Sequence, residues 1–120
     1  MSLDITLMRT YHVSYDNRET WEERTEPVYE DNITHNLNKM ADAAGIYGVL
    51  WRPDENNLNK ASELIPYLET GLEELQQNPE QYETFNPSNG WGSYKGLVKF
   101  VEKYLEACRK YPNADVYVSR

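Results

Sequence analysis

The stretch LNKASELIPYLETGLEEL, residues 58–75, carries the clearest periodic pattern in the chain. Its apolar residues lie alternately three and four positions apart, a spacing that places them on one face of an α-helix. Six residues form this stripe: Leu58, Ala61, Ile65, Leu68, Leu72 and Leu75. Pro66 interrupts the pattern, since a proline in a helix interior costs about 3 kcal/mol. We predict that the helix continues through Pro66 and faces the core, because about two and a half heptads are too few for a coiled coil.

Two further helices are predicted on either side of this one. Ser93 is a favourable N-cap, and apolar residues recur at helical spacing through residues 97–108. A shorter amphipathic pattern covers residues 33–44, with Asp31 or Asn32 as the predicted cap. The chain therefore offers about three helices that can cover a sheet.

Both ends of the chain show the alternation that is typical of strands, in residues 3–15 and 115–120. The polar segment after the first strand is predicted to form the returning strand of a β-hairpin, with residues 17–18 as its turn. Pro27 cannot donate to a central ladder, so a strand through it should lie at a sheet edge or be interrupted there. We predict a single α+β domain over residues 1–120, in which a small antiparallel sheet that includes the N- and C-terminal strands packs on about three helices.

The composition argues against several classes of protein. The 120 residues carry a formal net charge of -8 and one cysteine, Cys108. One thiol forms no internal disulfide, so we expect a cytoplasmic protein. The longest stretch without charged or strongly polar side chains, residues 43–51, is much shorter than the ~20 residues of a membrane helix, and we expect no membrane partner. The acidic excess argues against nucleic acid as a partner, because such binding relies on lysine and arginine.

Two polar segments at predicted helix starts are the candidate ligand site. Free amides and the helix dipole favour an anion at such positions, and Trp91 between two glycines offers a flat stacking surface. With Arg52 as a cation, these residues are predicted to bind a small anionic, nucleotide-like ligand. The predicted ligand-binding residues are Asn32, Thr34, His35, Asn36, Arg52, Asn89, Gly90 and Trp91.

Purely structural interpretations of the same residues stay open. Gly90 fits a turn with positive backbone dihedrals, and Trp91 then serves to pin the loop. His35 fits a local cap or a contact with the sheet. Arg52 fits an ion pair with one of the nearby carboxylates.

No catalytic pattern is present in the sequence. Neither a phosphate loop of the GxxxxGK[ST] type, nor a GxSxG elbow, nor a zinc-binding HExxH or CxxC spacing occurs. Cys108 lies on the apolar stripe of the predicted third helix, which indicates a buried thiol rather than a nucleophile. We predict no catalytic residues, no metal site and no cofactor, and a binding protein rather than an enzyme.

An acidic run between Glu19 and Asp31 suggests an alternative function. It contains six carboxylates and is relieved only by Arg18 and Arg24. One interpretation is a solvated sheet edge that is protected from pairing with other chains. The other is a protein-interaction module or host-factor inhibitor that presents an acidic surface to a basic partner. The ten tyrosines and a short edge strand would also suit a homodimer.

Three segments resemble a family of short proteins from bacteriophages and bacterial mobile elements. They are NITHNLNKMADAAGIYGVLWRP at residues 32–53, FNPSNGWGSYKGLVKFVEKYLEAC at residues 85–108, and the closing DVYVSR. The combination of NITHNL, LWRP and NPxNGWG carries the resemblance, which covers most of the chain from Asn32 onward. It implies a phage-type accessory protein of about this length in the host bacterial cytoplasm, and it implies no particular activity. Small proteins in that setting commonly inhibit or sequester host molecules.

Overall fold

Three antiparallel strands form one sheet in the order β2, β1, β3. The structure is a computed structural model that describes residues 2–14 and 21–120. Strand β1 spans Ser2–Val13, β2 spans Glu22–Thr34 and β3 spans Asp115–Ser119. The sheet confirms the predicted pairing of the N- and C-terminal strands and the hairpin between β1 and β2. The predicted turn at residues 17–18 lies outside the described residues.

Pro27 has both of the consequences that the sequence predicts for it. Strand β2 is an edge strand, so the missing amide of Pro27 breaks no central ladder. Leu7 pairs with Tyr29 whereas Met8 pairs with Pro27, which makes Val28 an extra residue in β2. This β-bulge bends the strand at the proline.

The described residues form five α-helices, and two of these helices are long. They are α1 (Asn38–Ala43), α2 (Tyr47–Trp51), α3 (Ala61–Gln77), α4 (Pro79–Glu83) and α5 (Tyr94–Lys110). Helix α3 continues through Pro66 as predicted, although it begins at Ala61, after Leu58. Ser93 caps α5 as predicted, since its side chain accepts a hydrogen bond from the amide of Gly96.

The first helical segment begins later than the sequence predicts. Residues 32–34 continue β2 instead, and a short 3₁₀ turn at His35–Leu37 leads into α1. The cap is Thr34, whose Oγ1 accepts from the Asn36 amide at 3.3 Å. The physical reason is tertiary: Ile33 pairs with Leu3 and buries its side chain as part of the sheet, which outweighs the weak local preference for a helix.

The core lies between one face of the sheet and the two long helices. Leu3, Ile5 and Leu7 of β1 are buried and alternate with more exposed residues. Helix α5 buries the stripe predicted from its spacing, including Leu97 and Cys108. Helix α3 packs against α5. The structure is thus an α+β fold of the predicted kind.

The hairpin extends past the third strand. Strand β3 pairs with β1 only from Asp4 to Met8, whereas β1 and β2 remain paired as far as Val13 and Glu22. We call the two-stranded part, residues 9–13 paired with residues 22–26, the ribbon. The molecule is elongated, with extents of 60 × 27 × 23 Å.

Candidate functional site

The structure brings the two predicted ligand segments into contact. The Asn36 side-chain amide donates a hydrogen bond to the carbonyl oxygen of Trp91 at 3.3 Å. Gly92 lies against the same turn, because a Cβ added to it would be 2.8 Å from Cγ2 of Thr34 and 3.0 Å from Cγ of Leu37. This close approach explains why glycine is needed at residue 92.

Local hydrogen bonds shape the loop before α5. The Asn89 Oδ1 atom accepts from the Trp91 amide at 2.9 Å, and Gly90 has a φ of 75°. The Asn86 Oδ1 atom accepts from the Tyr94 amide at 2.7 Å. With Gly96 bonded to Ser93, two of the first three amides of α5 therefore have side-chain acceptors already. Such capping reduces what this helix end can offer to an anion.

Trp91 is exposed, with 70% of its surface accessible. The ring therefore does not pin the loop into the core, and its predicted stacking on a ligand stays a prediction. Asn89 and Gly90 are exposed beside it. These three residues form the exposed part of the loop before α5.

His35 is held by the core rather than turned towards the loop. The Trp51 indole donates its Nε1 hydrogen to Nδ1 of His35 at 2.9 Å. Trp51 itself is 3% exposed and stacks on Tyr47, with ring centroids 5.4 Å apart. This hydrogen bond gives a buried indole its acceptor, as buried polar groups require.

Arg52 is engaged away from the loop. Its Nη1 atom lies 2.6 Å from Oε2 of Glu55, and its Nε donates to the Tyr47 hydroxyl at 3.4 Å. The Tyr47 hydroxyl and then the Glu55 carboxylate raise the pKa of Arg52. Arg120 joins this group by bonding Asp54 at 2.8 Å, a contact that lowers the pKa of Asp54. Arg52 is therefore not placed beside Asn36 and Trp91.

A cleft of about 300 Å³ lies between the end of β2 and the first three turns of α5. Asn32 and Thr34 line it, as does Ser93, and two cations that the sequence analysis did not select, Lys99 and Lys103, line its far side. The sequence feature that could have identified these lysines is their spacing of four residues on the polar face of α5. Asp31 also lines the cleft and opposes an anion there.

A second concave region follows the ribbon. It is a groove of about 470 Å³ between the edge of β1 and the turn after α5, and Arg9, Thr10, His12, Lys60 and Lys110 are among its lining residues. Of the described residues, no strand pairs with the edge of β1 that faces this groove beyond Met8. The sequence predicts strands of unequal length, but it does not predict the groove, which depends on the register of β3 on β1 and on the position of the turn after α5.

Chemistry at a metal or a thiol finds no support in the residues that the structure describes. Within residues 2–14 and 21–120, no cluster of three or more histidine, cysteine or acidic side chains could hold a metal ion. The Cys108 thiol is fully buried, and burial raises its pKa to about 12, so it is a poor nucleophile in the folded state. In the same residues, no helix combines the length and the apolar character that a membrane crossing needs.

Comparison with known proteins gives no relative. No family model matches the chain, and no curated protein or solved structure matches it either. Function must therefore be argued from the geometry.

Proposed function

We propose that this chain is a protein-interaction module and that the ribbon is its recognition element. The observation that supports the proposal is the length of the hairpin, which continues five residue pairs beyond the last pair of β1 with β3. A two-stranded ribbon is marginally stable on its own in water. The five residue pairs beyond β3 therefore contribute little to the stability of the fold, and a role in binding would account for them.

The side chains of the ribbon suit a protein partner. Trp21, beside the start of β2, is 65% exposed, and tryptophan is enriched among the residues that dominate binding energies. Arg9 and Glu26 face each other across the strands and form an ion pair. Much of the predicted acidic run falls on the β2 side of the ribbon, where Glu22 and Glu23 are exposed. In the phage-type setting that the sequence motifs imply, the partner would be a host protein in the bacterial cytoplasm.

Site-specific photo-cross-linking in the cells that produce the protein tests this proposal. A photoreactive phenylalanine analogue would replace Trp21 directly beside the ribbon or, as the matched control, Tyr67 on α3, which is 52% exposed. We expect a discrete cross-linked protein from position 21 and none from position 67. Equal cross-linking at the two positions, or none at position 21, would contradict the proposal.

A small anion in the cleft between β2 and α5 is the second candidate function. Lys99 and Lys103 line this cleft, and within residues 2–14 and 21–120 neither lysine forms an ion pair. Asn32 and Thr34, two of the predicted ligand residues, add polar groups on the opposite wall. Such a site would take a phosphate-bearing ligand of nucleotide size or smaller.

A nuclear magnetic resonance titration of the ¹⁵N-labelled chain with inorganic phosphate and with adenosine monophosphate tests the second candidate. We expect saturable chemical shift changes at the Thr34 and Gly96 amides. These changes should disappear in the Lys99→Gln, Lys103→Gln variant. The matched control is Arg9→Gln, Lys110→Gln, which removes the same charge elsewhere. Shifts of equal size in both variants would count against the cleft.

A further inference from the structure

The open edge of β1 along residues 9–13 is the part of the ribbon that can pair with another chain. In the described residues, this edge has no partner strand beyond the pair of Asp115 with Met8, which is the last pair between β1 and β3. Unpaired amides and carbonyls on a strand edge are a template for an added strand. The edge contains no proline, in contrast to β2, whose outer edge is interrupted by Pro27 and its bulge.

The groove beside this edge provides room for an added strand. It borders β1 at Arg9, Thr10 and His12, and its opposite wall is the turn that contains Tyr111 and Pro112. An incoming segment here would continue the line of β3 and extend the three-stranded region of the sheet. Its backbone would bond to β1, and its side chains would contact the walls of the groove.

The charge of the groove selects the kind of segment. Three cations line it, Arg9, Lys60 and Lys110, against one carboxylate, Asp115. Lys60 pairs with Asp115, and Arg9 pairs with Glu26 outside the groove. Among the described residues Lys110 has no ion pair and lies over the ring of Tyr111, 5.4 Å from its centroid. Lys60 and Arg9 thus have carboxylate partners, and the positive excess of the groove comes from Lys110, in a chain whose net charge is -8.

We infer that the partner supplies an extended acidic segment, which adds to the sheet as a strand antiparallel to β1 along residues 9–13. The inference rests on the proposed function and names its partner class. Acidic side chains would meet Lys110, the groove cation without an ion pair among the described residues, whereas a basic segment would be repelled by it. Backbone pairing gives the affinity, and the cations give the preference for acidic sequences.

Two synthetic peptides test the pairing with the full chain. The first is a capped eight-residue peptide that alternates glutamate with valine, and the second carries lysine in place of each glutamate. We expect the acidic peptide to bind at least about tenfold more tightly than the basic one at low salt. On binding, alternate amides within residues 9–13 should exchange with solvent at least about tenfold more slowly, because every second amide of a strand faces the open edge.

Matched variants assign the preference to the groove. Arg9→Gln, Lys110→Gln should weaken binding of the acidic peptide at least about fivefold, and Lys99→Gln, Lys103→Gln should leave it unchanged. If the first double variant fails to fold, Lys110→Gln alone serves. Equal affinity for both peptides, no binding of the acidic peptide, or protection on the outer edge of β2 would overturn the inference. A concentration-dependent dimer of the free chain with residues 9–13 protected would also overturn it, since a second copy would then occupy the edge.

The two proposals fail in different ways. A cross-link from position 21 to a host protein, together with a failed peptide experiment, would remove the strand pairing and retain the ribbon as the recognition element. Specific binding of the acidic peptide without any cross-link from position 21 would retain the pairing and contradict the proposed cellular function.

Discussion

Asp115 pairs with Met8, and this pair is the last that β1 forms with β3. Beyond it, residues 9–13 have a neighbouring strand on one side only, so their hydrogen bonds open at a lower free energy than those of residues 3–7. We predict that amides in residues 9–13 and 22–26 exchange with solvent at least about a hundredfold faster than the inner amides of residues 3–7, a ratio that corresponds to about 2.7 kcal/mol. Amide exchange followed by nuclear magnetic resonance measures this ratio, and equal protection along β1 would refute it.

The hydrogen bond between Trp51 and His35 couples the first turn of helix to the core. His35→Ala leaves the indole hydrogen without this acceptor in a buried side chain, and we predict a loss of about 1–3 kcal/mol in the free energy of unfolding. Urea denaturation measures the loss. The control is Trp51→Phe combined with His35→Ala: the double variant should lose less than the sum of the single variants, and strict additivity would mean that the bond contributes nothing.

Gly92 and Gly90 form a natural pair of test positions. Both have positive φ, 104° and 75°, but only Gly92 faces a close neighbour, whereas a Cβ at Gly90 would meet open space. Gly90→Ala should cost about 1 kcal/mol from backbone strain alone. Gly92→Ala should cost more, about 2–4 kcal/mol, because Thr34 and Leu37 must also move. Thermal or urea unfolding of the two variants tests the order, and an equal loss would show that the loop does not pack on residues 34–37 as described.

Because the Cys108 thiol is buried, the free energy of unfolding should depend on pH above the ordinary pKa of a cysteine. Burial raises the pKa of Cys108 from 9.0 to about 12 in the folded state. Between these values the unfolded chain releases the thiol proton and the folded chain keeps it, so the free energy of unfolding should fall as pH rises, by about 1.4 kcal/mol per unit from this group.

Comparison with Cys108→Ala isolates this contribution between pH 8 and 10, because Tyr29 and Tyr104, the tyrosines whose pKa the Cys108 charge raises, stay protonated in both folded proteins there. The stability difference between the original chain and the variant should shift against the original chain as pH rises from 8 to 10. A difference that does not change with pH would mean that the thiol is accessible in the folded state.

The periodic segments were predictable because their patterns report burial. Leu97 to Cys108 and Leu64 to Leu75 lie on faces that pack on the core, and Leu3, Ile5 and Leu7 alternate on a buried sheet face. The predicted start of the first helix is wrong, since Ile33 and Thr34 also suit a strand and the conformation of residues 32–34 follows from pairing with β1.

The site was less predictable than the fold. The contact between Asn36 and Trp91 and the direction of Arg52 depend on tertiary packing that spacing does not encode. In the sequence, Lys99 and Lys103 look like residues of an ordinary solvated helix face. Only the folded structure shows that they line a cleft opposite β2. The length of the ribbon was hidden because residues 22–26 are too polar to show a strand pattern.

Removal of the ribbon is the most direct test of the account. Because Arg9 and Glu26 are paired, an Asn-Gly turn can join them in place of residues 10–25. We predict that this shortened chain keeps its thermal midpoint within about 5 °C, since the core lies elsewhere, and that the protein cross-linked from position 21 no longer copurifies with it. A shortened chain that folds and still retains this partner would contradict the claim that the ribbon is the recognition element.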